Sequence, residues 1–295
     1  MSSVDLSLWD VAEPVAKALT YAVTLGAAGG VMFLGYTHAI VADSDRRRIR
    51  RLVGVLLVLS ALASGARIAV TAGSMSGDIA GMFDRVFLRM ILQTGEGRAL
   101  AIRVAGLLLA ALAVCANRRP SALALLGAII AATSFAWAGH AQAMSPSTLP
   151  TLLVCVHLLA VAFWLGALAP LLVLVRDGDL SRMAAVTARF GAVAVFLVGV
   201  LITAGLGLLW ILLGELSNMW TSSYGRYMVL KLGLVASLLG FAAWNKWSLT
   251  PRLLAREVSA ARGLRRSIMC ELFLGGLILL VTATLTTLTG PPALQ

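Results

Sequence analysis

Charge and metal-binding side chains are both scarce in this sequence. Only 13% of its 295 residues are charged, against about 25% in an ordinary soluble domain. It holds three histidines and three cysteines. The cysteines (Cys115, Cys155 and Cys270) lie in or at the ends of apolar runs and are too few and too scattered for a disulfide framework. No CxxC or CxxCH sequence is present. A Walker sequence and a DKTG phosphorylation sequence are also missing, which argues against ATP-driven pumping, and nothing points to an enzyme. The opening MSSVDLSLWD has no basic stretch and the first apolar run is too long for a signal core, so no cleaved signal is expected.

What is abundant is hydrocarbon. Apolar residues make up 60% of the chain and mean hydropathy is +0.92. They gather in runs near twenty residues, the length that crosses about 30 Å of hydrocarbon at about 1.5 Å per residue. The expected fold is therefore all-α: a polytopic transmembrane helical bundle of about eight spans, at 15–41, 52–71, 99–116, 121–138, 149–175, 190–213, 227–244 and 268–288. Residues 1–295 are read as one integral membrane domain. Within the longest connection, 72–98, the stretch 79–93 has the pattern of an amphipathic helix lying at the interface.

A net charge of +11 raises the question of nucleic acid, but the basic residues cluster in short loops between apolar runs. The loops after the first, third, fifth and seventh runs hold sixteen of the 24 lysines and arginines. By the positive-inside rule those loops face the cytoplasm and both termini lie outside it, so no nucleic-acid partner is expected. Arg67, Arg103 and Lys231 fall near or within the spans, either paired inside the bundle or snorkelling to headgroups. GYTHA at 35–39 and AGHA at 138–141 echo each other weakly, too short a match to establish a repeat.

The chemistry concentrates at 138–172. His140 and Met144 share a helical face if the fourth span continues past Gly139, and His157 sits about two turns into the fifth. Pro146 and Pro150 keep the connection between them short. Two imidazoles and a thioether near the outer interface suit a soft cation such as Cu(I) far better than Mg or Ca. The bland reading is that His157 is an interhelical hydrogen-bonding group and His140 a loop residue. Cys155, two positions before His157, points to another side and reads as packing. Trp164, two turns below His157, either walls the site or packs on a neighbour. Met75, Met82 and Met90 in the outer loop are either apolar filler or a capture point for metal. His38, near the inner end of the first span, and Glu271, at the start of the last, form a candidate inner exit site.

Three stretches carry a resemblance: VHLLAVAFWLGALAPL (156–171), ARFGAVAVFLVGVLITAGL (188–206) and YGRYMVLKLGLVASLLGFAAWNK (224–246). Their order and spacing resemble the bacterial copper resistance protein D family, which includes the membrane portion of related copper-uptake proteins. The sequence departs from the family where Trp-Leu-Gly-Gly becomes Trp164-Leu165-Gly166-Ala167 and Arg-Phe-Ser becomes Arg189-Phe190-Gly191, both small replacements. The resemblance implies a bacterial inner-membrane protein that handles copper. It raises His140 and His157 to metal contacts, with Met144 next. No periplasmic copper-binding domain is seen in the sequence, so a separate periplasmic donor is expected.

The resulting expectation is a copper permease that binds Cu(I) at His140, His157 and Met144 and passes it inward toward His38 and Glu271. Two rivals stand beside it. One is a haem-binding electron-transfer protein, since two transmembrane histidines can hold iron. The other is a copper sensor or assembly partner that binds the same ion without moving it.

Overall fold

The computed structural model describes residues 7–116, 121–139, 142, 144, 146–175 and 180–294. Among them, seven helices are long and apolar enough to cross a membrane, and an eighth apolar helix is shorter. The helices are α1 (Leu8–Thr37), α2 (Asp43–Ser76), α3 (Arg85–Leu92), α4 (Gly95–Ala116), α5 (Ala122–Thr133, prolonged by a 3-10 turn Ser134–Trp137), α6 (Thr148–Val175), α7 (Leu180–Leu213), α8 (Asn218–Thr221), α9 (Ser223–Trp244), α10 (Thr250–Leu254) and α11 (Val258–Leu288). The described chain has no strand, so the all-α bundle stands.

Several boundaries differ from the apolar runs, mostly because the helices outlast the hydrocarbon; the exceptions are α1, which ends at Thr37 rather than 41, and the α-helical part of α5, which ends at Thr133 rather than 138. The basic stretch 43–51, expected as a loop, forms the first turns of α2. At 34 residues, α2 is about 51 Å long, well beyond a hydrocarbon core of about 30 Å. Arginine is a good helix former, so the helix runs on into the headgroup region rather than stopping at it. In the same way α7 begins ten residues before 190, and α11 begins ten before 268. The α1 start moves back to Leu8 because Ser7 closes a capping box: its Oγ accepts from the Asp10 N–H, and its own N–H donates to the Asp10 carboxylate. The stretch expected as one amphipathic helix at 79–93 divides into a 3-10 turn, Ile79–Phe83, and α3, split by Asp84, which caps α3 at the Val86 N–H.

Helix ends that an alternating topology puts on one side do meet. On the face bearing Ser7 and the end of α11, the Lys17 ammonium donates to the Thr286 carbonyl. On the opposite, basic face, Arg182 of α7 pairs with the buried Asp45 of α2, and the Tyr36 hydroxyl donates to the Arg189 carbonyl.

α1 is the central element, packed against α2, α5, α6 and α11. Its crossing with α6 is a backbone contact. A Cβ on Gly29 would fall 1.8 Å from the Ala162 carbonyl oxygen, and one on Gly166 would fall 2.6 Å from the Gly29 Cα. Only glycine permits that approach. Around this crossing the chain is built as two like halves, α1–α5 and α6–α11. In each, a short helix leads into a longer one opened by a Gly-Arg pair, Gly97-Arg98 in α4 and Gly225-Arg226 in α9. A second cation follows at the same distance in both, Arg103 and Lys231. The halves differ in closure. α2 and α4 pack together in the first, whereas α7 and α9 scarcely touch in the second.

The first half is filled by its own side chains. Arg103, only 2% exposed, donates from Nε to Ser134 Oγ at 3.1 Å and from Nη1 to Ser64 Oγ at 3.4 Å. Its guanidinium lies 3.9 Å over the Phe135 ring. Arg67 pairs with Glu96 at 2.6 Å. Both arginines are paired inside the bundle rather than snorkelling.

Candidate functional site

The second half carries the open chemistry. His157 lies nine residues after the start of α6, Lys231 eight after the start of α9, and Gly205 eight before the end of α7. All three therefore sit about 13 Å below the helix ends of the terminal face. The His157 ring packs on α7, where a Cβ on Gly205 would come 3.6 Å from its Nδ1. That nitrogen is buried and has no hydrogen-bond partner among the described residues. The ring hydrogen-bonds to the Leu201 backbone of α7, and Lys231 is within electrostatic reach. A buried imidazole nitrogen without a partner is costly in low dielectric, so this one is a lone pair or N–H available to a visitor.

His140 lies outside the described residues. Next to it, Gln142 ties the connection to both flanking helices, donating to the Ala136 carbonyl and to Thr151 Oγ1 at 3.0 Å. Met144 is half-buried in that connection. Cys155 is a free, half-buried thiol in α6. In the loop beyond α2, Met75 and Met90 are about half exposed, whereas Met82 packs against Gly73 beside Trp9. Among the described residues, no three His, Cys, Asp or Glu side chains come together as a metal cage.

The two inner candidates are in different surroundings. His38 ends α1 exposed, its Nδ1 3.1 Å from the Gly35 carbonyl of its own helix. Glu271, 2% exposed, is held in the interior instead. Asn245 donates to its Oε1, and the Trp164 indole also bonds its carboxylate. Asn245 opens a single π-turn, Asn245–Leu249, that interrupts the helical path after α9 and swings its side chain toward α11. No hydrogen bond or ion pair joins His38 to Glu271.

Glu271, Asn245 and Trp164 form one end of a cavity of about 320 Å³ between α6, α7, α9 and α11. Its walls are mainly apolar, including Leu168, Phe190, Val198 and Leu239. Sequence reasoning reached Glu271 and Trp164 separately but missed Asn245, whose only signal is an amide at the end of a long apolar run. It also left open what Lys231 faces. The equivalent depth of His157 and Lys231 follows only once α6 and α9 are known to start on the same face.

Two family models match the chain in succession. The one described as copper resistance protein D-like, N-terminal domain, covers residues 8–148, and the one described as copper resistance protein D covers residues 184–285. The first match takes in α1–α5 and the second most of α7–α11, with α6 lying between them. A copper resistance protein D of Pseudomonas syringae pv. tomato is 31% identical over 221 residues, 68% of this chain and 70% of that one. A copper transport protein, CutJ, of Bacillus subtilis (strain 168) is 24% identical over 290 residues, 94% of this chain. The chain spans only about half of that protein, 52% of its length. No solved structure matches.

Proposed function

Because this chain belongs to the copper resistance protein D family, a family of multi-pass membrane proteins of copper resistance and transport, we propose that it carries copper across the bacterial inner membrane toward the cytoplasm. The cargo is Cu(I), which imidazole and thioether ligands suit. It arrives from a separate periplasmic donor at the terminal face, which is periplasmic in this reading, and binds His157 with His140 and Met144. The observation that carries this reading is the buried, unpartnered Nδ1 of His157, at the floor of that face.

Lys231 gives the site its character. In its protonated form Lys231, within reach of His157, opposes a bound cation and shortens its residence there. A conducting site has to release what it binds, and a closed cage would trap the ion. From His157 the cation moves inward toward the Glu271 carboxylate, the one acidic side chain lining the inner cavity, and leaves past His38. The inside-negative potential favours that direction by about 2.3 kcal/mol per charge per 100 mV.

The test is copper uptake into proteoliposomes. His157→Ala is expected to reduce the initial rate at least ten-fold while the protein still elutes as a folded species. Uptake at the wild-type rate in this variant overturns the site. A variant or wild-type protein that binds copper without any flux assigns the chain to sensing or assembly instead.

A further inference from the structure

The inner cavity is ill-matched to copper along most of its length, because among the described residues no histidine, cysteine or methionine lines it. Its volume of about 320 Å³ is at the lower end of small-molecule sites, which run roughly 300–1,000 Å³. Two buried polar atoms at its walls have no hydrogen-bond partner: Thr187 Oγ1 and Asn245 Oδ1. Both residues lie against the cavity, and Thr187 is 7% exposed. Nearby, Glu271 keeps its carboxylate in the interior with Asn245 and Trp164. Asn245 Oδ1 can only accept and Thr187 Oγ1 can accept or donate, so a hydroxyl, which does both, can pair with each, while Lys246 in the same lining already donates to the Gly191 carbonyl.

The entrance is on the lipid side. α7 and α9 both line the cavity yet scarcely pack together. Val195, halfway along apolar α7 and 53% exposed, stands at its edge, as does Trp247, 74% exposed. A gap between two spans at mid-helix level opens to hydrocarbon rather than to water.

We infer that this cavity binds a membrane-borne amphiphile that enters between α7 and α9, with an apolar body against Phe190, Val198 and Leu239 and a hydroxyl head. The hydroxyl donates to Asn245 Oδ1 or the Glu271 carboxylate and accepts from the Thr187 hydroxyl. An alkane tail alone leaves those oxygens unpaired, and the cation in the lining, Lys246, is already engaged by the Gly191 carbonyl at 3.3 Å. Binding here does not depend on the copper reading. If both hold, the occupant caps Glu271 and slows copper flux.

The test uses the full chain in phosphatidylcholine nanodiscs and two photoreactive probes of equal length. One is decanol carrying a mid-chain diazirine, the other the matching alkane without the hydroxyl. The alcohol is expected to label peptides of α7 and α9, with labelling reduced at least five-fold by excess unlabelled decanol. Labelling by the alkane is not displaced. Thr187→Val and Asn245→Leu are each expected to cut labelling by the alcohol at least five-fold, and Ala242→Phe to cut it by filling the cavity. Equal, non-displaceable labelling by both probes overturns the inference. So does wild-type labelling in Thr187→Val, a change too small to threaten the fold.

Discussion

At the scale of single residues, the two halves put cations to opposite uses. Arg103 is held by protein: two serine hydroxyls and an aromatic face surround it, although its Nη2 has no hydrogen-bond partner among the described residues. Its counterpart Lys231 has no hydrogen bond or ion pair among the described residues and lies within electrostatic reach of His157. A filled position is structural and an unfilled one is available. Arg103→Met is therefore expected to lower stability by about 2 kcal/mol, from a lost cation–π contact and two hydrogen bonds. The readout is the thermal unfolding midpoint in detergent, and an unchanged midpoint means that these contacts carry no net energy. His157 was legible in the sequence because a histidine inside an apolar run is conspicuous. Lys231 was visible but not interpretable, since one-dimensional spacing within a helix says nothing about which other helix it faces.

At the scale of elements, close crossings set the architecture. Gly29 of α1 has no room for a side chain against α6, and Gly106 of α4 is similarly tight, with a Cβ falling 2.6 Å from the Ala131 nitrogen of α5. Gly54 of α2 has nothing within 4 Å. Gly29→Leu is expected to abolish the folded state or cost several kcal/mol, of the order of 3 or more, because a backbone cannot yield as a rotamer can. Gly54→Ala is expected to be neutral or to stabilise by about 0.5–1 kcal/mol through helix propensity. Comparing detergent-resistant folded yield for the two variants checks both expectations. The long apolar helices were readable because hydrocarbon thickness dictates run length. Their basic ends were not, since hydropathy falls where the membrane stops while helix propensity does not. The π-turn at 245–249 left no pattern at all, because it comes from the way α9, α10 and α11 must be joined.

At the scale of the whole molecule, charge distribution and connectivity agree. Asp45 with Arg182 and Tyr36 with Arg189 hold the basic ends together, and Lys17 with Thr286 holds the other face. With the basic face inward, Cys115, exposed near the end of α4, lies on the cytoplasmic side. In a Cys155→Ser/Cys270→Ser background, a membrane-impermeant maleimide is expected to leave intact spheroplasts unlabelled and to label opened membranes at least ten-fold more. Labelling of intact spheroplasts reverses the orientation, and with it the direction of copper movement. Fold class and span order were legible from composition and charge. The division into two halves was not, because the short echo at GYTHA and AGHA falls at positions that do not correspond in the two halves, whereas the Gly-Arg openings of α4 and α9 do.

The meeting of Gly29 and Gly166 also restricts how such a protein can move. Two main chains pressed together have no lubricating layer of side chains, so neither helix can slide lengthwise past the other without collision. What remains is swivelling about the point where they touch. His157 and the basic-face end of α6, each nine residues from Gly166, lie on opposite sides of that point, so a swing about it moves them in opposite senses.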